Sequence, residues 1–575
     1  MGIPGSGRNF SISLMSRPNR RDFLRICAAS VSSLALPAID QPVYRTPSAL
    51  DRFIDPLPIP VRAQPRSTAG PIRYQIRMLE FRKQLHSQLP PASVWGYEGH
   101  CPGPTFEAMR GRPIEVEWQN DLPGHHLLPV DRTIHGAMPP APEVRTIPHL
   151  HGMRADSVSD GLPEKWFTPS HSVVYRYPND QPAATLWYHD HAMGITRLNG
   201  YAGLSGFYFL RDEKELRLDL PSGDYEIPLI LQDRTLNDQG QLVYSPSADD
   251  GSAIAQGVWG PQFFGELPLV NGAVYPFLRV EPRIYRLRLL NAANTRFFNL
   301  YFNLAKSPTD IPSLLTLRQI GSDGGLLSAP ATLQKLLLAP AERADLLIDF
   351  SGHEGKTITL SNDAPTPYPG WNQLRAVHAP LLELMQFRVD LPRSSPKSFV
   401  PTSLVAVPRI DPSQAIATRD FVLTDCSDPM ARSHTAAGAA LCSTAKNPGM
   451  LINGKGYDDP VTEFPKLNTV EKWRFINTTD DAHPMHLHLV QFQIHERQGF
   501  DYGAFLKGRV ELVGVPRPPS PAEAGWKDTA IVMPREVLTL LVRFEGFTGK
   551  YVFHCHVAEH EDNDMMRPFV VVRAT

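Results

Sequence analysis

The chain has 575 residues, long enough for three or four domains at roughly 150 residues each. With 57 Lys and Arg against 59 Asp and Glu the net charge is −2, which argues against a nucleic-acid or anionic-membrane partner held by bulk charge. Its 56 Pro and 40 Gly require frequent turns, so many short strands are expected in place of long helices. No apolar run reaches the roughly 18 residues of a membrane span. The five Cys are too few for a disulfide scaffold of this size.

Residues 1–44 read as an address and not as structure. Asn19-Arg20-Arg21-Asp22-Phe23-Leu24-Arg25 precedes a mildly apolar stretch from Ile26 to Pro37. The pattern resembles a bacterial twin-arginine export signal, the alternative being a chance arginine pair in a basic tail. Ala35-Leu36-Pro37-Ala38 offers a small-residue cleavage site, and Met15 is an alternative start. Export machinery is therefore an expected partner, and the periplasm or the extracellular space the expected location. Residues 39–65 read as a Pro-rich leader.

Three segments then share one pattern, a strand of alternating character that ends in Asn. They close on Asn120, Asn291 and Asn477, which lie 171 and 186 residues apart. Such alternation marks half-buried antiparallel strands. An all-β chain of three similar β-sandwich domains follows, expected over 45–213, 214–392 and 393–575 with Pro-rich joints near 213–224 and 391–418. A second echo links only the first and last units: His149-Leu150-His151 with His486-Leu487-His488, and His189-Asp190-His191 with His554-Cys555-His556. The middle unit lacks these pairs and reads as a spacer.

Ten of the 20 His fall in four segments that total 19 residues, where a uniform scatter would place less than one. They read as metal ligands. Side chains two apart on a strand share a face, so the pairs 149/151, 189/191, 486/488 and 554/556 present eight imidazoles. That is too many for one ion and suits a cluster of two or three. Imidazole alone leaves Cu, Zn, Fe and Ni open.

The remaining candidates narrow the metal. Cys555 points away from His554 and His556, and His483 leaves the paired face because Pro484 is expected to break the strand. His560 follows Cys555 by five residues and Met565 by ten, with Met566 the alternative to Met565. Two His, one Cys and a weak axial Met describe a blue-copper electron-transfer centre. A structural zinc site would ask for four strong ligands. One strand would then carry the thiolate on one face and two cluster ligands on the other, a short covalent path for electrons.

These motifs resemble those of the multicopper oxidases, most closely the spore-coat laccase and bilirubin-oxidase branch. So do Ile320-Gly321-Ser322-Asp323-Gly324-Gly325-Leu326-Leu327 and Leu338-Ala339-Pro340-Ala341-Glu342-Arg343 in the middle unit. The resemblance implies cupredoxin-like Greek-key domains and four copper ions. A type 1 copper would take His483, Cys555, His560 and Met565, and a type 2 copper His149 and His486. One ion of a type 3 pair would take His151, His189 and His556, the other His191, His488 and His554. Asp160 and Glu561 would relay protons to reduced dioxygen, the alternatives being a turn Asp and a solvated Glu.

The implied reaction couples one-electron oxidation of phenolic or aromatic donors to reduction of dioxygen to water, in a monomer. Donors would bind near an exposed edge of a type 1 His. Residues 361–371 depart from the Cys- and Gly-rich loop of the spore-coat enzyme, which separates this chain from that enzyme's bulky donors. A Cu(I) metallo-oxidase or a bilirubin oxidase is the alternative within the family, and a copper-free structural or cell-division factor the alternative outside enzymes. Cys426 and Cys442 bracket 15 residues and are a candidate disulfide.

Overall fold

A computed structural model describes residues 50–67, 71–246, 254, 257–304, 313–370, 380–394, 399–426, 442 and 449–573. The expected export signal lies outside the described residues. Six sheets pair into three sandwiches. The first joins Ala92–Tyr97, Ile72–Lys83, Ile114–Asn120 and Ser172–Tyr177 to a second sheet of Gly103–Met109, Ser205–Arg211, Ala184–Asp190 and Pro148–His151. The second sandwich spans strands from Glu226 to Val389, and the third strands from Ala415 to Val571. Each encloses its own apolar core, around Trp118, Leu287 and Trp473 in turn.

The three Asn-terminated strands hold equivalent places, but in mixed sheets and not in purely antiparallel ones. Ile114–Asn120 runs parallel to Ile72–Lys83 and antiparallel to Ser172–Tyr177. Ile284–Asn291 and Thr469–Asn477 repeat that arrangement with Glu226–Leu236 and Arg343–Asp349, and with Ala415–Asp425 and Glu536–Phe544. The terminal Asn has one job in all three. Its Oδ1 accepts the N–H two residues on, at Leu122, Ala293 and Thr479, and its Nδ2 donates to two further oxygens. A fully buried amide so satisfied turns the chain, and at Asn291 and Asn477 it also pins the chain to a strand of the facing sheet, at Leu338 and Val532.

Half-burial holds for the first strand, whose pattern alternates, and fails for the second, which is buried throughout. Its polar face carries Arg286 and Arg288, covered by Glu215, Glu226 and Asp345. Alternation identified the strand, and ion pairing then allowed its charged face to leave water. Part of the Pro-rich leader is structured: Phe53 N–H donates to Tyr275 and Leu57 N–H to Phe277, and Leu57 joins the second core.

The strand from His483 to Leu487 runs unbroken through Pro484. Its ladder to Gly549–Cys555 begins only at Met485, so Pro484 needs no N–H on that side. Parity, not a break, sends His483 to the face opposite His486. Cys426 and Cys442 form a disulfide, with 5.6 Å between Cα atoms.

Candidate metal centre

Cross-strand pairing assembles the histidines. His149 lies directly opposite His189 in the first sandwich, and His486 opposite His554 in the third. The two sets then meet face to face. The rings of His149 and His488 stack at 3.8 Å, and those of His151 and His486 at 3.6 Å. All eight are buried.

Six of the eight rings, those of His149, His151, His189, His486, His488 and His554, are held by the outward nitrogen. His149 Nδ1–H donates to the Asp160 carbonyl, and His189 Nδ1–H to that of Asp190. His486 Nδ1–H donates to the Asp528 carbonyl at 2.8 Å, and His488 Nδ1–H to Asp160 Oδ2 at 2.8 Å. His151 is reversed: its Nε2–H donates to Asp528 Oδ1 at 3.0 Å. These partners choose the tautomer and leave the inward lone pair free.

The inward nitrogens test whether metal fits. His149 Nε2, His151 Nδ1, His189 Nε2, His486 Nε2 and His556 Nε2 are buried without any hydrogen-bond partner. Nε2 of His554 lies 3.2 Å from that of His191 and 3.3 Å from that of His488, three lone pairs aimed at one point. The rings of His151, His189 and His556 stand 5.1 to 5.8 Å apart. Buried lone pairs facing one another are costly in a folded protein unless cations lie between them. Burial holds His149, His151, His189, His191, His486, His488 and His556 below the usual imidazole range, His189 at about 4, so these rings are neutral donors. Copper fits this donor set.

A second cluster sits on the other face of the strand Gly549–Cys555. Cys555 Sγ is 3.5 Å from His483 Nδ1 and 3.7 Å from His560 Nδ1, and the two nitrogens are 3.2 Å apart. Met565 shares the apolar core with Cys555, whereas Met566 packs against Leu162, Met193 and Tyr457. The Cys555 N–H donates to the Met565 carbonyl, and the Met565 N–H to that of His560, which closes the loop around the sulfur. Burial raises the Cys555 thiol well above its usual range and lowers His483 to about 3.

Both acids singled out from sequence lie at the eight-histidine cluster. Glu561 is buried, with Oε1 3.2 Å from His191 Nδ1 and Oε2 3.2 Å from His554 Nδ1. Asp160 is buried against His488, and burial raises its carboxyl well above the usual range, with Asp156 adding to the rise.

No exposed edge of either cysteine-side ring is present: His483 is 0% exposed and His560 1%. Thr479 Oγ1 caps His483 Nε2 at 2.7 Å. Trp259 covers the other ring's neighbour, its Nε1–H donating to the Glu559 carbonyl at 2.9 Å. Sequence reasoning passed over Asp528, which holds one ring from the first sandwich and one from the third. Its only local signal was a charged pair, Lys527-Asp528, inside an apolar stretch.

Residues 141–215 and 428–575 each match a family model described as multicopper oxidase. A laccase of Bacillus subtilis is 42% identical over 539 residues, covering 90% of this chain and 98% of the relative. The crystal structure of a multicopper oxidase from Aquifex aeolicus superposes with a TM-score of 0.70 at 26% identity, over 91% of this chain and 100% of that one. A laccase-like multicopper oxidase from Ochrobactrum sp., with oxidase activity towards lignin model compounds and lignosulfonate, has a TM-score of 0.68 at 26% identity, over 90% of this chain and 100% of its own. The chain belongs to the multicopper oxidases. It is a laccase-like copper oxidoreductase that uses dioxygen, with three cupredoxin-like sandwiches and a complement of four copper ions of types 1, 2 and 3.

Proposed function

We propose that donor electrons enter at His483, Cys555, His560 and Met565 and are delivered to the eight-histidine cluster through the backbone shared by Cys555, His554 and His556. The single observation that carries this is the opposed facing of Cys555 and its two neighbours, His554 on the same strand and His556 just past its end. Within the cluster, His149 and His486 serve the type 2 ion. His151, His189 and His556 serve one type 3 ion, and His191, His488 and His554 the other. Bound copper supplies one-electron chemistry at the first site and four-electron reduction of dioxygen at the second.

The protein's own part is orientation and proton supply. Outward hydrogen bonds aim the rings before any ion arrives. Glu561, in reach of two ligand rings, and Asp160, in reach of one, hold protons where reduction to water consumes four per dioxygen.

The donor is a phenol or aromatic amine, which loses one electron to give a delocalised radical. The lignin-directed activity of the Ochrobactrum relative supports that class. Buried rings favour donors that deliver electrons through Thr479 or the Trp259 loop over donors that bind copper ligands directly. The chain acts as a monomer, exported through the twin-arginine machinery on the signal around Arg20 and Arg21. Among the described residues no helix is long and apolar enough to cross a membrane.

Oxygen uptake with a panel of phenols, bilirubin and Cu(I) tests the donor assignment. Turnover fastest on phenols supports it, and turnover confined to Cu(I) or to bilirubin replaces it. Fusion of residues 1–44 to a reporter tests export: transport that survives replacement of Arg20-Arg21 by Lys-Lys refutes the twin-arginine route.

A further inference from the structure

The two middle-unit motifs, Gly321-Ser322-Asp323-Gly324-Gly325 and Pro340-Ala341-Glu342-Arg343, hold no metal candidate, yet the fold brings both against the copper cluster. Arg343 is 1% exposed and grips Asp528 with both arms of its fork, Nη1 to Oδ1 at 2.7 Å and Nη2 to Oδ2. Its Nε–H donates at 3.0 Å to the carbonyl of Thr185, on the strand that carries His189. One guanidinium from the second sandwich thus ties the first to the third. Asp323 supports it from behind, accepting from the Arg343 N–H at 2.8 Å and from Lys527 Nζ at 2.8 Å.

The same carboxylate and its own backbone carry the cluster. Asp528 Oδ1 accepts from His151 Nε2–H, and the Asp528 carbonyl from His486 Nδ1–H. Space is fitted closely around the fork. A Cβ at Gly152, next to His151, would lie 2.6 Å from Asp528 Oδ2 and 3.0 Å from Arg343 Nη2. A Cβ at Gly324 would lie 2.5 Å from Trp526 Cβ, and the Gly324 N–H donates to the Trp526 carbonyl at 2.9 Å. These glycines let the second sandwich press the segment 526–529 onto the ligands.

We propose that Arg343 is a positioning residue for the copper cluster, acting through Asp528 on His151, assigned above to a type 3 ion, and on His486, assigned to the type 2 ion. This gives the spacer a part in the metal site, and it rests on the ligand assignment above. A carboxylate gripped at both oxygens cannot rotate away from Nε2–H of His151, so the ring keeps Nδ1 turned inward. A point charge in place of the fork would leave that rotation open.

The test compares wild-type holoenzyme with Arg343→Met, Arg343→Lys and Asp528→Asn. Three quantities are read: copper per chain, the type 2 signal in electron paramagnetic resonance, and the blue absorption of the cysteine site. Arg343→Met should weaken copper at the cluster, the type 2 ion on His486 included, by about 10- to 100-fold while the blue band stays intact. Arg343→Lys should recover thermal stability without recovering the type 2 spectrum. A wild-type spectrum and four coppers in Arg343→Met would overturn the proposal, as would loss of both signals in equal measure. If Arg343→Met does not fold, Asp528→Asn decides: a shifted type 2 spectrum beside an unchanged blue band supports the proposal, and an unshifted one sinks it. A wild-type enzyme without a type 2 signal would instead refute the ligand assignment.

Discussion

Cys555 Sγ faces His483 Nδ1 at 3.5 Å, while His554 on the same strand and His556 just past its end turn their rings to the eight-histidine cluster. Two metal environments are therefore separated by one pleat. Replacing Cys555 by Ser removes the thiolate without disturbing His554 and His556. The blue colour should vanish and steady turnover stop, while at least three coppers remain by elemental analysis. Retention of colour and oxidase activity together would show that the cysteine is not the entry port.

Met565, and not Met566, shares the core with that sulfur. Met565→Leu should raise the reduction potential of the blue site, because a thioether stabilises the oxidised ion and an isobutyl group does not. Met566→Leu should leave the potential in place and cost less than about 1.5 kcal/mol of stability, as a near-isosteric core swap. Redox titration followed at the blue band separates the two.

Glu561 brings Oε1 within 3.2 Å of His191 Nδ1 and Oε2 within 3.2 Å of His554 Nδ1, and neither buried oxygen has a hydrogen-bond partner. Glu561→Leu should slow reoxidation by dioxygen while reduction by donor continues at its usual rate. Glu561→Asp should keep part of the rate, and the defect should deepen as pH rises. Stopped-flow mixing of reduced enzyme with oxygen isolates the step; wild-type reoxidation across pH would leave the relay to Asp160.

His135 of the first sandwich sits between Asp564 and Asp458 of the third, at 2.7 and 2.9 Å. The hydrogen bond that its ring N–H donates to Asp564 raises its pKa from 6.5 to about 9, against the opposing effect of burial. A raised folded-state value means stabilisation complete below about pH 6.5 and lost as pH climbs through about 9. The difference in unfolding temperature between wild type and His135→Gln should shrink over that window. A gap that stays constant with pH would assign His135 a packing role only.

The Cys426–Cys442 disulfide closes a loop with a sequence separation of 16. Loop-closure entropy then predicts about 3 kcal/mol of stabilisation. Denaturant melts of Cys426→Ser with Cys442→Ser against the oxidised parent measure it, and equal stability would show the bridge to be mechanically idle.

Local pattern determined much of this protein. Period-two alternation located the Asn-terminated strands, because a pleated strand must show one face to the core. His-x-His spacing sorted the candidate ligands by face for the same reason, and Cys555 between two His already pointed to two sites. What the pattern could not hold was partnership. Nothing near His151 announces that Asp528, 377 residues on, will hold its ring, or that Arg343 of a unit without ligands will hold Asp528. Nor does Ile284–Asn291 reveal in its alternation that Arg286 and Arg288 are sealed by acids from elsewhere in the chain. Capping of the His483 ring was equally hidden, since Thr479 acquires that role only by where its loop lands. Side-chain direction is set by the backbone of a few residues, so sequence carries it. Burial of a charge is set by what packs across the gap, so only the tertiary structure decides it.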